Sequence, residues 1–396
     1  MSARRPAALL AAAGLLLAGC SSAAKTRTTT STSAASGTEG AAAAGASGQG
    51  VGAQALSRPF ASSSPWNTTV SGQPSDPRSQ SMVALASQRQ DIEYTGGLQP
   101  RVTTRTITAG LFINTDRWSD TIAQGAEGVP TSVVCRQQIA YCGDGAHLST
   151  LNIPAAVSPQ PQYDGWMTVL EPSAGVAYDL WRARRSSDGH VVSYQYMRRW
   201  SLTGSGYAPP GSASARGSGL PLFAGLITPT DIQTGKIEHA LAISLPGPAR
   251  GRYAPPASAT DGVGPEASLP EGARIRLRAD FELGRLSTGT DARAARAIVR
   301  ALKLYGAIVV DRARVPTLYA QLNYSWQTPL RDSTGKLIYG NGHELPAALQ
   351  DINGQGVPLL RGNEVQSLRL SDFEVLSLPG ELSYPPPETA SPGGER

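Results

Sequence analysis

The apolar residues of this 396-residue chain occur mainly in short alternating segments bounded by glycine or proline. The stretch 235–245 (GKIEHALAISL) shows the pattern best, because Leu241, Ile243 and other alternate residues fall on one strand face. Adjacent strand residues point to opposite faces, so His239 shares the apolar face. With 43 glycines and 30 prolines, the chain favours many turns and short strands over long helices. We therefore place this segment at the centre of a β-sheet.

Two further patterns define the rest of the predicted fold. The runs 166–171 and 176–184 flank a turn at 172–175 and predict a β-hairpin. Apolar residues recur every three or four positions over 291–305, which predicts one amphipathic helix. Together these patterns predict a mainly β fold, a jelly-roll-like two-sheet β-sandwich with one packed amphipathic helix and long Gly/Pro-rich loops. Two smaller domains that divide near 205–219 are the alternative.

The N-terminus has the anatomy of a signal peptide. Arg4 and Arg5 precede an apolar run at 7–18 that is too short for a comfortable membrane span, and Leu-Ala-Gly-Cys20 follows. This ending resembles the lipobox of bacterial lipoproteins, in which the cysteine is lipidated and the chain is cut just before it. The resemblance implies a signal peptide at 1–19 and an extracytoplasmic protein that is anchored to the bacterial cell membrane through Cys20. An ordinary signal peptide with an incidental cysteine is the alternative.

Composition divides the remainder of the chain. Residues 20–57 are rich in Ser, Thr, Ala and Gly, and they predict a disordered tether because they offer little apolar surface to bury. Residues 58–380 are predicted to form a single β-rich extracytoplasmic domain. Residues 381–396 are predicted to form a flexible Pro-rich tail.

Cys135 and Cys142 are the only cysteines besides Cys20, and outside the cytoplasm they predict a disulfide. A metal site is the alternative, but His147 would be its only nearby histidine and would leave the ligand set incomplete. The chain has four histidines, so a multi-histidine site is not expected. We predict no metal and no cofactor.

The formal net charge of +5 fits attraction to acidic surfaces such as wall polymers or anionic glycans. There is no nucleic-acid recognition motif, and the predicted location also argues against nucleic acid as a partner. The predicted partners are the membrane, through the lipid on Cys20, and a polysaccharide ligand. The chain is expected to be a monomer.

Three side chains are candidates for acid–base catalysis. His239 could serve as a general acid or base in a cleft, or it could be a buried structural histidine. Asp179 and Trp181 share a strand face, so the indole could stack on a sugar while the carboxylate binds its hydroxyls; a core tryptophan is the alternative. Asp311 is a carboxylate at the end of a predicted strand, which it could simply cap.

Arg276 belongs to a row with Arg274 and Arg278 on one strand face. Such a row could bind the carboxylates of an acidic polysaccharide, or it could be a solvated outer face. We take Trp181 and Arg276 as the candidate substrate-binding residues.

The body resembles secreted actinobacterial proteins of unassigned function in four runs: YDLWRA at 178–183, GLP at 219–221, IEHAL at 237–241 and YGAIVVD at 305–311. The resemblance implies no activity, but it directs attention to Asp179, His239 and Asp311. The sequence therefore predicts a surface-anchored protein that binds or cleaves a polysaccharide, as a hydrolase or lyase if it is catalytic. A non-catalytic surface protein that binds a glycan or a protein partner is the alternative.

Overall fold

Strands and irregular segments dominate the part of the chain that the computed structural model describes, which comprises residues 58–93, 101–286, 292–322, 360 and 362–384. The α-helices described there are α1 (Ser79–Ala86), α2 (Pro229–Thr234) and α3 (Ala292–Leu304). The predicted signal peptide at 1–19, the lipidation site Cys20, the tether at 20–57 and the tail residues 385–396 lie outside the described residues.

The described strands are, in chain order, β1 (Gln88–Glu93), β2 (Arg101–Thr106), β3 (Phe112–Asn114), β4 (Thr121–Gln124), β5 (Val129–Cys135), β6 (Thr150–Ile153), β7 (Met167–Glu171), β8 (Val176–Trp181), β9 (Arg184–Arg185), β10 (Val191–Tyr194), β11 (Tyr196–Ser201), β12 (Leu241–Leu245), β13 (Arg252–Tyr253), β14 (Arg274–Leu277), β15 (Ala307–Arg312), β16 (Thr317–Tyr319), β17 (Phe373–Val375) and β18 (Leu382–Ser383).

These strands form one six-stranded sheet, two four-stranded sheets and two strand pairs. The six-stranded order is β17-β14-β15-β12-β16-β3, and the four-stranded orders are β6-β5-β10-β9 and β11-β8-β7-β4. The pairs are β1-β2 and β13-β18. This multi-sheet architecture with few helices confirms the predicted mainly β class and is consistent with a β-sandwich.

The six-stranded sheet separates two hydrophobic cores. Leu241 and Ile243 of β12 pack in one core together with the apolar stripe of α3, whereas Ala242 packs in the other. In β15, Val309 and Ile308 divide between the two cores in the same way. The central strand is therefore covered on both faces, and all five of its residues are buried.

The predicted strand at 235–245 is only half correct, because β12 begins at Leu241. Residues 235–240 form an irregular connection after α2, which Thr228 and Asp231 start with a reciprocal capping box. Gly235 ends the helix with φ +67°, a conformation that glycine adopts without steric cost. His239 therefore lies in the connection between α2 and β12 rather than in the strand.

The four-stranded sheet β11-β8-β7-β4 contains the predicted hairpin, since β7 and β8 pair antiparallel from Met167↔Leu180 to Glu171↔Val176. The predicted disulfide is also confirmed, because Cys135 and Cys142 are bonded with a Cα–Cα separation of 6.0 Å.

The predicted flexible tail begins inside a paired segment. Leu382 and Ser383 pair with β13, and the ring of Tyr384 lies 6.0 Å from that of Tyr253. Glu381 forms ion pairs with Arg78 and Arg252. The ordered part of the chain therefore extends at least to residue 384. Within the described ranges, no helix combines the length and the apolar character that crossing a bilayer requires.

We expect Leu302→Ala to reduce the free energy of unfolding by about 2–5 kcal/mol, because it removes a buried side chain from the core beneath α3. Urea denaturation checks this value. Arg300→Ala, on the exposed face of the same helix, should change it by less than about 0.5 kcal/mol. Equal effects of the two substitutions would contradict the described packing of α3.

Candidate functional site

A cavity of about 720 Å³ lies where β3, β15 and β16 meet the turn before β7. Its lining combines aromatic rings, carboxylates, arginines and an amide. The lining residues are Asn114, Trp118, Asp164, Trp166, Asp311, Arg312, Ala313, Arg314, Val315, Thr317 and Tyr319. Its volume falls in the range of small-ligand sites.

The rim of the cavity is built from residues in uncommon backbone conformations. Trp118 has φ +46° and Asp164 has φ +65°, and left-handed backbone is unfavourable for a bulky side chain such as tryptophan. Trp118 is nevertheless 48% exposed, and its ring centroid lies 4.6 Å from that of Tyr163. Strained residues tend to cluster where the surrounding structure positions side chains for function. The rim therefore holds an aromatic surface toward solvent.

Three carboxylates form a compact cluster, which we call the acidic triad: Asp261, Glu271 and Asp311, of which Asp311 lines the cavity. One oxygen of each lies within 4.8 Å of the others. The backbone N–H of Arg312 donates to Asp311 Oδ1 at 2.8 Å, and Arg312 Nε donates to Asp261 Oδ2 at 3.1 Å. Glu271 is fully buried, and its Oε2 accepts a bond from the Asp261 backbone N–H at 3.3 Å.

Burial and mutual repulsion disfavour the ionised forms in the acidic triad. Burial, followed by the charge of Asp261, raises the pKa of Asp311 to about 8. Burial and the charges of Asp261 and Asp311 raise the pKa of Glu271 well above its usual value. Three carboxylates in this volume cannot all be ionised unless positive charge offsets them.

A second acidic group lies deeper, where the Thr168 hydroxyl bridges Asp120 and Asp179. Asp179 Oδ2 accepts from Trp200 Nε1 at 2.8 Å and from the Leu222 backbone N–H at 2.7 Å. Asp120, Asp179 and Thr168 are fully buried. This network ties the sheet that contains β8 to the segment that follows β11.

The hydrogen-bond geometry of this network shows which of the two carboxylates is protonated. The Thr168 hydroxyl has one hydrogen and can donate to only one carboxylate, so the other carboxylate must be protonated and donate to it. Asp179 already accepts two N–H bonds, which favour its ionised form. Burial and the charge of Asp179 raise the pKa of Asp120 well above its usual value. Asp120 is therefore the protonated partner.

Arg216 lies between the two acidic groups and is 2% exposed. Its guanidinium carbon lies 5.3 Å from the ring centroid of Trp166 and 5.0 Å from that of Tyr319. Its charge lowers the pKa of Asp179 and of Asp311, against the larger effect of burial on each. It also donates to the carbonyls of Pro221 and Leu222, at 3.2 and 3.3 Å.

The histidine at the start of the central strand does not open into a cleft. His239 is 2% exposed, with Nδ1 3.0 Å from the Ala240 carbonyl and Nε2 3.4 Å from Asp231 Oδ2. Burial lowers the pKa of His239, but the charge and hydrogen bond of Asp231 outweigh it and raise the pKa overall. The geometry matches the structural alternative, in which His239 fixes α2 to β12.

The proposed sugar-site pair on β8 is also corrected. Asp179 is buried and its oxygens are occupied by Thr168, Trp200 and Leu222, so it has no access to a substrate hydroxyl. Trp181 packs against the core that contains Ala242, and Arg182 stacks on its ring at 4.8 Å. Neither residue is among those that line the cavity.

Arg276 is a structural residue in this fold rather than a free surface cation. It donates to Glu374 Oε1 from Nε at 2.9 Å and from Nη2 at 2.6 Å, and to the Val70 carbonyl at 2.8 Å. It therefore connects β14, β17 and the segment before α1. Of the five predicted catalytic or binding residues, Asp311 alone lines the cavity.

Sequence reasoning missed Trp118, Asp164 and Glu271 because they lie outside the regular strands. The one local signal was the Asp164-Gly165 pair before a strand, which is typical of a tight turn. No family model, curated protein or solved structure matches the chain.

We expect the stability of the protein to fall as the pH rises from about 4 through 6. Burial raises the pKa of Asp179 from 3.8 to about 6, so the folded state holds a proton in this window that the unfolded chain has released. A shift of this size corresponds to about 3 kcal/mol of stability, present at low pH and lost above the folded pKa. Urea denaturation at pH 4, 5, 6 and 8 measures the loss.

Asp120→Asn serves as the matched variant for this pH series. The amide can still donate to Thr168, and it removes a carboxyl group that keeps its proton in the folded state, where burial raises the pKa of Asp120, but loses it in the unfolded chain. We therefore expect a smaller decline of stability with pH than in the native protein. An unchanged decline would mean that the titration arises elsewhere.

Proposed function

We propose that this protein is a lipid-anchored extracytoplasmic protein that binds a polysaccharide in the cavity bordered by β3, β15 and β16. One observation carries the proposal, namely that Trp118, Trp166 and Tyr319 line the same cavity as the carboxylates Asp164 and Asp311. Aromatic faces stack on the apolar faces of sugar rings, and carboxylates accept bonds from sugar hydroxyls.

The exposures of the aromatic residues suggest a division of roles. Trp118 is 48% exposed at the rim and presents the stacking surface, whereas Trp166 and Tyr319 are almost buried and form the floor. Arg216 packs against both floor rings and restricts their movement. The site is therefore largely preformed, which reduces the entropic cost of binding a chain of sugars.

The arginines of the lining favour an acidic polysaccharide. Arg312 and Arg314 belong to one wall of the cavity, and a guanidinium can bind a sugar carboxylate or sulfate through two parallel hydrogen bonds. The net charge of +5 would support the approach of such a polymer.

The carboxylates Asp164 and Asp311 line the same cavity, and glycosidic cleavage uses a pair of carboxylates that flank the bond. In this proposal Asp164 and Asp311 take the place of Asp179 and His239 as the residues that would act on the bond. Cleavage by hydrolysis or elimination is the second candidate function, and the experiment below separates it from binding alone.

We expect Trp118→Ala to weaken polysaccharide binding about tenfold, because it removes the exposed stacking surface. The full-length protein, purified in detergent, would be tested against neutral and acidic polysaccharides by affinity electrophoresis and by assays for new reducing ends and unsaturated products. Tyr141→Ala is the matched control, since Tyr141 is 66% exposed and lies in the disulfide loop.

New chain ends that disappear in Asp164→Asn and Asp311→Asn would establish cleavage in this cavity. Binding without new ends would assign the non-catalytic function. Binding that Trp118→Ala leaves unchanged would place the ligand elsewhere and contradict the proposal.

The proposed lipid anchor is supported by the lipobox-like run that ends at Cys20. In a bacterial host we expect Cys20→Ser to abolish incorporation of labelled fatty acid and to prevent cleavage before residue 20. Metabolic labelling and the mobility of the band measure both effects, with Cys135→Ser as the control. Labelling that persists in Cys20→Ser would overturn the lipoprotein assignment.

A further inference from the structure

The acidic triad has the dimensions of a cation site. One oxygen from each of Asp261, Glu271 and Asp311 lies within 4.8 Å of the others. Calcium binds oxygen at about 2.3–2.6 Å, so ligands on opposite sides of the ion are about 5 Å apart. A single ion can therefore contact all three carboxylates without a change in the backbone.

A buried oxygen without a partner points to the same conclusion. Glu271 is fully buried, and its Oε1 makes no hydrogen bond to any described residue. The same is true of Asp261 Oδ1. Buried polar atoms are almost always paired, since an unpaired one costs free energy. A cation between the three side chains would give Glu271 Oε1 a partner.

The positively charged side chains around the acidic triad do not balance its three carboxylates. Arg312 contacts Asp261 and is itself half exposed, with a side-chain exposure of 53%. Arg216 directs two of its N–H groups to the Pro221 and Leu222 carbonyls and stacks on aromatic rings. Three carboxylates thus outnumber the cations that contact them.

The loop that carries Asp261 packs closely against the segment that contains Gly217. A Cβ on Gly217 would lie 2.4 Å from Asp261 Cγ, so only glycine at position 217 permits this approach. The Asp261 carboxylate therefore packs directly against the backbone at Gly217.

We propose that Asp261, Glu271 and Asp311 bind a divalent cation of the calcium class beside the cavity. The donors are all oxygens, the ligand type that hard cations prefer. Asp311 also lines the cavity, so water or an acidic ligand could complete the coordination from that side. The proposal goes beyond the function proposed above and does not depend on it, because cation binding is measured without a glycan.

The test is a titration of full-length protein, stripped of metal with EDTA, with calcium chloride in an isothermal calorimeter, alongside thermal unfolding. We expect one calcium ion per chain and a melting temperature that rises with calcium concentration. Glu271→Gln and Asp311→Asn should each weaken binding at least tenfold. Glu238→Gln, which removes an equal charge at an exposed position, should bind as the native protein does.

Circular dichroism shows whether each variant is folded. If Glu271→Gln does not fold, Asp261→Asn takes its place, since that side chain is 35% exposed and tolerates change better. A native protein that binds no calcium would overturn the proposal and would indicate that the acids share protons instead. Calcium binding that persists in every triad variant would overturn it as well.

Discussion

A single buried guanidinium is the constraint on which the centre of this protein depends. Arg216 lies between the Asp120–Asp179 pair and the acidic triad, and its charge acts on Asp179 and Asp311. A buried cation requires compensating charge, and buried carboxylates require compensation in turn. Electrostatic interactions as well as apolar packing therefore act between the sheet that carries Asp179 and the sheet that carries Asp311. Removal of Arg216 would leave the buried carboxylates without this compensating charge.

The irregular segments have a larger structural role than their composition indicates. The stretches 207–219 and 246–272 are rich in glycine, serine, proline and alanine, and they are examples of the long Gly/Pro-rich loops predicted from the sequence. Much of the second stretch is buried, as is the end of the first. They supply Arg216, Asp261 and Glu271 to the centre of the molecule. Small side chains allow their backbones to approach the sheets closely, and hydrogen bonds such as Ser258 N–H to the Ser218 carbonyl satisfy them there.

The sequence pattern was enough to predict those elements that depend on interactions between residues close together in the chain. The helix at 292–304, the β7–β8 hairpin and the Cys135–Cys142 bond follow from periodicity, turn chemistry and spacing. The site could not be predicted in this way. Asp179 and Asp311 are both aspartates on strands, and nothing near them in sequence shows that Trp200 and Leu222 enclose the first while the second reaches a cavity. Such contacts depend on segments brought together only by the complete fold.

The strand pairing within the six-stranded sheet has a consequence for how the chain folds. Its edge strand β3 pairs with β16, and nearby Ser119 donates to the Ala320 carbonyl across 201 residues. At the opposite edge, Ser75 reaches Glu374 across 299 residues. Contacts between distant parts of a chain carry a high loop-closure entropy and slow the search for the native state. The sheet is completed only when both edge strands are in place, and loss of β3 or β17 would leave β16 or β14 without a partner on that side.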